Sequence, residues 1–463
     1  MDLTQARKIH MIGIGGAGMC GLAEMLADKG YRVSGSDAAA GSITAHLQER
    51  GLEIYHGHLA EQLADDVDMV VISSAIPADN QELQAARERG LMVIKRGTLL
   101  AQLFNQTKGI AVAGAHGKTT TTAMLYQILI TAGLDPSFIV GGQLQDGDLN
   151  MHTGGGEYFV TEADESDASF LELYPLVSVV TNIENDHMDF YKNRENISQA
   201  FLQFINQTRP QGRAVLYGND SSIKAMRADI KAPACFYGDD NACDYYMSDW
   251  QVYAGGSRFR VHHADMCLGE LILPVPGRHN ALNALAAAAA ALFLDIDFAY
   301  IQKALRSFHG AKRRFQLKGS LAGVTVVDDY AHHPSEIQAT LRAARETYTG
   351  RVIVIFQPHR YTRTQQLYQE FGQAFTDADE VIITGIYAAS EQPIAGISGK
   401  TIADQVALSG KSVFYQEKPE EALLLLEQLV QPGDLVITMG AGDIWKIGNE
   451  LLERLPALPR KKL

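Results

Sequence analysis

"GIAVAGAHGKTTTTAML", running from Gly109 to Leu125, sets the reading of the whole chain. Its first half is a run of small and branched apolar residues, as a buried strand requires. Its second half opens on Gly117-Lys118 and continues as a helix. A strand, a glycine turn and a helix bearing lysine and hydroxyl form an anion cradle, because unpaired backbone N–H groups and the helix N-terminus converge on it. Lys118 then reaches β- and γ-phosphates, and the Thr119 hydroxyl can ligate Mg²⁺. The usual loop of this type has four residues between its first glycine and the Gly-Lys pair. Here only Ala115 and His116 separate Gly114 from Gly117. Gly114, Ala115, His116, Gly117, Lys118, Thr119 and Thr120 are therefore the candidates for binding ATP.

A second glycine loop lies upstream. Gly13-Ile14-Gly15-Gly16-Ala17-Gly18 falls between the strand-like "KIHMI" and a helix-like run, and Asp37 ends the next strand-like run. This spacing suits a diphosphate on a helix N-terminus, with the acid accepting from a sugar hydroxyl. The loop alone does not distinguish NAD from a UDP-sugar. A dehydrogenase has no need of the second cradle, and a plain ATPase has no need of the first.

Strand-like and helix-like runs alternate along the remaining sequence, which predicts parallel sheets covered by helices. The expected fold class is α/β with three domains. Residues 1–104 form a Rossmann-like domain, 105–310 a P-loop-type ATPase domain with a mainly parallel sheet, and 311–463 a second Rossmann-like domain. Between residues 235 and 275 the pattern alternates more strictly, so a hairpin excursion is expected there.

Composition narrows the function classes. The chain has 463 residues and a formal charge of −14, which leaves no broad basic face for a nucleic acid. The four cysteines form no CxxC pair, so neither a zinc site nor a disulfide framework is indicated. No export core and no window of about 18 uncharged apolar residues is present. A cytoplasmic protein without membrane insertion is expected, as a monomer or weak dimer.

"GAHGKTTTT" resembles the shortened ATP loop of the Mur ligases, ATP-dependent amide-forming enzymes of peptidoglycan synthesis. "EADESDASFL", "TNIENDHMDFY", "PGRHNALNALAA", "RRF", "DDYAHHPSEI", "QPHRYTRT" and "MGAGDIWKIG" agree, and the matches spread over nearly the whole chain. The resemblance implies UDP-N-acetylmuramate and L-alanine as substrates, with ATP and Mg²⁺, and an acyl phosphate between them. It places Glu162 and His187 with Thr119 on the metal, with Asp186 a further candidate and Glu165 and Asp167 readable as a solvated acidic cluster. It places Asn280 on adenine with His279 flanking, Asp329 rather than Asp328 on the ribose, and Arg313 and Arg314 on nucleotide or acyl phosphate. Tyr330, His332, Arg360 and Arg363 become the acceptor pocket, with His332 orienting the amine or taking its proton; His333 and His359 are weaker candidates. Lys118, His187, Arg314 and His332 are the implied catalytic group. For the sugar nucleotide, Ile14, Gly15, Gly16, Ala17, Gly18 and Met19 bracket diphosphate and uracil. Asp37, Ser73, Ser74 and Ala75 finish the pocket, and His58 is a sugar contact.

Three alternatives stay open at this level. A ligase adding a whole tripeptide would share both loops. An NAD(P)-dependent oxidoreductase would use only the first, and a nucleotide-regulated binding module would use either without chemistry.

Overall fold

The computed structural model describes residues 3–145, 150–184, 186–253, 255–389 and 391–455. It contains three sheets. The first has strands β1 (Lys8–Ile12), β2 (Arg32–Asp37), β3 (Glu53–His56), β4 (Met69–Ile72) and β5 (Met92–Lys95), in the order β3-β2-β1-β4-β5. All four pairings are parallel, with Ile12 opposite both Ser36 and Ile72. The chain order reverses between β1 and β4, so a crevice opens at their carboxyl ends. The Gly13–Gly18 loop follows β1, and Ser73 and Ser74 follow β4. Strand β3 and the helix Ser42–Glu49 are polar and were not evident from the alternation of the sequence.

The second sheet contains β6 (Lys108–Ala113), β7 (Ser137–Ile139), β8 (Met151–His152), β9 (Tyr158–Glu162), β10 (Val177–Val180), β11 (Arg213–Tyr217), β12 (Ala234–Gly238), β13 (Tyr245–Tyr253), β14 (Gly256–His263) and β15 (Met266–Leu273). Its order is β15-β14-β13-β12-β11-β10-β6-β9-β7-β8. Strand β6 lies between β10 and β9, parallel to both. Residues 110–113 of β6 are fully buried, as a strand covered on both faces must be.

The third sheet contains β16 (Gln316–Leu321), β17 (Val324–Asp329), β18 (Val352–Phe356), β19 (Glu380–Thr384), β20 (Ser412–Gln416) and β21 (Leu435–Met439), ordered β16-β17-β21-β18-β19-β20. Only the β16–β17 pair is antiparallel. The carboxyl ends of β17, β18, β19 and β21 lie on one edge, which gathers Tyr330, His332, His359 and Tyr387.

The three sheets are the cores of the three expected domains, and close packing groups them into two compact units. One comprises residues 1–248, 260–271 and 282–307, the other 249–259, 272–281 and 308–463. The first two sheets share a unit because the helix Arg96–Phe104 packs tightly on the segment after β9. A Cβ placed on Gly97 would lie 2.5 Å from that of Ser169. No helix among the described residues is long and apolar enough to cross a membrane.

Candidate active site

The shortened loop is built around two glycines in backbone conformations that side chains disfavour. Gly114 has φ +139° and Gly117 has φ +82°. A Cβ on Gly117 would lie 2.5 Å from Asn283 Oδ1. His116 N–H donates to Asn182 Oδ1 at 2.9 Å, so the residue after β10 fixes the middle of the loop. The His116 ring lies 3.2 Å from Glu184. Ala115 is half-buried, and Thr120 is buried in the first turn of its helix.

Lys118 Nζ donates to Gly114 O at 2.5 Å and to Glu165 Oε1 at 2.7 Å. Burial works against the ammonium charge, but Glu165, Asp164 and Glu162 outweigh it and raise the lysine pKa. Glu165 is only 2% exposed, and its Oε2 has no hydrogen-bond partner. The expected solvated acid is thus a buried counter-charge. Its partner Lys118 is distant in sequence, which is why local composition reads it as surface.

Thr119 Oγ1 donates to Glu162 Oε1, and Glu162 Oε2 accepts from Gly141 N–H at 2.9 Å. His187 has φ +56°. Its Nε2 lies 3.8 Å from Glu165 Oε1 and 3.7 Å from Asp186 Oδ2. Of the three residues expected to hold a metal, Thr119 and Glu162 thus pair with each other, while His187 faces Glu165 and Asp186. A hydroxyl and carboxylate oxygens are the hard donors that Mg²⁺ takes, and the unpartnered Glu165 oxygen fits the same cluster. Asp167 instead accepts from Ser169 N–H at 3.0 Å and caps a turn.

At the first loop, Gly15 N–H donates to Asp37 Oδ2 at 2.8 Å, and Gly13 and Ile14 N–H both donate to Ser36 O. Asp37 thus braces the loop with one oxygen, a role the sequence reading had given wholly to a sugar hydroxyl. Ile14 and Met19, expected among the residues that bracket diphosphate and uracil, turn their side chains inward. They are 0% and 1% exposed and pack in the core, so only their backbone is available. Gly16 caps the helix Ala17–Asp28, and Gly18 lies beneath Arg96, whose Cδ would be 3.2 Å from a Cβ there. Ser73 Oγ accepts from Ala75 N–H at 3.4 Å, while Ser74 and Ala75 are exposed. His58 Nδ1 lies 2.9 Å from Glu82 Oε2, a partner not anticipated from the sequence.

A cavity of about 330 Å³ joins the two loops within this unit. Gly18 and Arg96 line it from the first loop's side. Lys118, Gly141, Glu162 and Asp164 line it from the second. Arg96 Nη2 donates to Asp164 Oδ2 at 3.3 Å.

On the edge of the third sheet the arginine pair divides its work. Arg313 Nε donates to Asp328 Oδ2 at 2.9 Å, Nη1 to Gly442 O at 3.0 Å and Nη2 to Gly440 O at 2.6 Å. Its guanidinium also covers the Tyr330 ring. Arg313, expected on a phosphate, here uses three of its five N–H donors to hold Asp328 and the loop after β21. Arg314 keeps a lighter engagement, donating to Glu336 at 3.3 Å and lying 5.3 Å from the Tyr330 ring centre. Asp329 accepts from Phe315 and Ala331 N–H, each at 2.7 Å, and burial raises its carboxyl pKa to about 6. Each oxygen thus accepts one backbone N–H and keeps a further acceptor site.

His332 Nδ1 donates to Tyr330 O at 3.0 Å, leaving Nε2 as the accepting nitrogen. Burial lowers its pKa to about 3, so it is a neutral imidazole that orients rather than a base that retains a proton. Glu336, missed in the sequence, accepts from His332 and His333 N–H and from Arg314. Its signal was local: Pro334 at the first helical position with an acid two residues later. Burial similarly lowers His359 to about 4, and Arg363 Nη1 donates to its Nδ1 at 3.3 Å. Arg360 has φ +70°, and its buried Nε lacks a partner.

Asn280 Nδ2 donates to Pro276 O at 2.7 Å, tying its own helix start. The asparagine that meets the phosphate loop is Asn283, one turn later. Asn280, the residue expected on adenine, has its side-chain amide engaged by the preceding turn. His279 packs near Gly277.

The chain carries two glycine loops that line one cavity in the first unit and an arginine–histidine sheet edge in the second, and it belongs to the Mur ligase family of ATP-dependent ligases. Three family models match: the Mur ligase catalytic domain over residues 8–108, the middle domain over 112–291 and the glutamate ligase domain over 313–442. The family is ATP-dependent and makes peptidoglycan precursors. A curated relative from Syntrophomonas wolfei, a UDP-N-acetylmuramate–L-alanine ligase, is 52% identical over 98% of this chain and 99% of its own. The structure of a UDP-N-acetylmuramate–alanine ligase from Thermotoga maritima is 31% identical, covers 97% of this chain and 99% of that one, and gives a TM-score of 0.82. A murein peptide ligase from Psychrobacter arcticus is 26% identical over 98% of this chain and 100% of that one, with a TM-score of 0.71.

Proposed function

We propose that this chain joins L-alanine to the carboxylate of UDP-N-acetylmuramate, consuming ATP and releasing ADP and phosphate. The full-length likeness to alanine ligases supports this reading over the tripeptide ligase. The structural observation that carries it is the cavity between the two glycine loops. A sugar nucleotide on the first loop can send its carboxylate toward a γ-phosphate on the second. We assign residues 1–104 to the sugar nucleotide, 105–310 to ATP and 311–463 to the amino acid.

In the first step a carboxylate oxygen attacks the γ-phosphorus and ADP leaves with the bridging oxygen. Lys118 neutralises charge building on the β- and γ-oxygens, and the loop N–H groups hold them in line. Thr119, Glu162 and His187 would hold Mg²⁺, which supplies charge neutralisation on the phosphates when bound. In the second step the amine attacks the acyl carbon, phosphate leaves and one proton is lost. Arg360 and Arg363 suit the amino-acid carboxylate, which can take two parallel N–H donors. His332 offers Nε2 as an acceptor to the amine, and the departing phosphate is the stronger base to receive the proton. We place the reaction in the cytoplasm, with the chain acting as a monomer or weak dimer.

The test is ADP formation with UDP-N-acetylmuramate against L-alanine, glycine, L-serine and the tripeptide. Turnover confined to the tripeptide, or nicotinamide turnover without ADP, would overturn the proposal.

A further inference from the structure

The first sheet contains a buried polar network that the proposed chemistry does not use. Glu82 is fully buried, in the helix Gln81–Glu88. Its Oε1 lies 2.9 Å from His10 Nε2, and its Oε2 accepts from Ser36 Oγ at 2.5 Å and lies 2.9 Å from His58 Nδ1. His10 is itself fully buried, with Nδ1 2.9 Å from Ser34 Oγ. The carboxylate thus collects three side-chain donors from three elements. Burial pushes its pKa up, but the bonds from His10, Ser36 and His58 outweigh this and hold it below the ordinary value.

Two of those donors lead to the crevice. Ser36 is the residue whose carbonyl accepts from both Gly13 and Ile14 N–H, and it precedes Asp37, which accepts from Gly15. Its side chain being pinned by Glu82 fixes the strand end on which the glycine loop hangs. His58 stands just beyond β3, where Gly57 N–H donates to Asp37 O. Its ring is 21% exposed although Nδ1 is held inside. The Nε2 edge therefore remains for a ligand on the carboxyl side of the sheet.

We propose that Glu82 is a positioning residue for the sugar-nucleotide site: through Ser36 it sets the Gly13–Gly15 turn, and through Nδ1 it aims His58 Nε2 at the diphosphate–sugar portion of the ligand. The proposal rests on the first loop taking a UDP-sugar. Its physical basis is that a buried carboxylate binding three donors resists rotation of each of them, since freeing any one leaves a desolvated charge underpaired.

The test is a double-mutant cycle on the full chain with Glu82→Gln and His58→Ala, read by calorimetric binding of UDP-N-acetylmuramate and of UDP, and by steady-state kinetics. Glu82→Gln is expected to raise the sugar-nucleotide Kd and KM about five- to tenfold, the worth of one hydrogen bond, leaving the KM values for ATP and L-alanine unchanged. The double variant should bind only slightly more weakly than Glu82→Gln alone, because the His58 contribution already runs through Glu82. Weakened UDP binding places the contact on the diphosphate; a loss seen only with the complete ligand places it on the sugar. A merely structural Glu82 would lower the melting temperature with sugar-nucleotide Kd unchanged, and that result, or fully additive losses, overturns the proposal. Should Glu82→Gln not fold, Ser36→Ala with the same readouts decides the loop half. Failure of the unmodified chain to bind UDP-N-acetylmuramate would instead overturn the assignment of the crevice.

Discussion

Lys118 Nζ and Glu165 Oε1 stand 2.7 Å apart, a cation and a carboxylate that are both withdrawn from water. The same ammonium also donates to Gly114 O. The lysine proposed to serve the γ-phosphate is therefore held at the mouth of its own loop. Lys118→Ala is expected to lower L-alanine-dependent ADP release by about a hundredfold or more, the order seen when a preorganised charge is removed from a transition state. UDP-N-acetylmuramate should still bind, as calorimetry would show. Turnover near that of the unmodified chain would rule out the role.

Gly117→Ala tests the shortened loop itself. The left-handed backbone alone costs an alanine about 1–2 kcal/mol, and its Cβ would press on Asn283. ATP affinity, measured by calorimetry, should fall, and Asn283→Ala should recover part of it by clearing the space. No recovery would mean that the backbone angle, not the asparagine, sets the loop.

The arginines should separate stability from activity. Arg313→Met removes three donated bonds and leaves Asp328, 1% exposed, without its cation; a loss of about 3 kcal/mol in denaturant unfolding is expected. Arg314→Met should instead depress turnover more than stability. The reverse pattern would exchange their roles.

His332 gives a pH signature. Its pKa is lowered by burial to about 3 against an ordinary 6.5. Its contribution to stability is complete above the ordinary value and is lost as pH falls toward the lowered one, because the unfolded chain takes up the proton first. Relative to His332→Gln, the native protein should lose stability from about pH 6.5 down to about pH 3. Asp329, raised in both, largely drops out of this difference. Parallel unfolding curves for the two proteins over that range would show that the imidazole is not buried in this way.

Much of the phosphate machinery was legible because it is local. Gly114 to Thr119 are consecutive, and Glu162 ends a strand whose apolar run announces it. Where the reading failed, the deciding neighbour was far along the chain or a turn away. Asn283, one turn into its helix, was not singled out in the sequence, and only packing against Gly117 brings it to the loop. Glu82 lies in a helix rich in charged and polar residues and reads as a solvated acid. Its partners His10, Ser36 and His58 stand 72, 46 and 24 residues away. Arg313 and Arg314 are adjacent, so sequence could not apportion them; the carbonyls of Gly440 and Gly442 did.

Gly97 resting on Ser169 means that the two anion cradles are walls of a single body. The spacing between the two glycine loops is then inherited at folding. A wedge as small as one methyl at that seam, which itself lines the cavity between the loops, would shift one wall against the other.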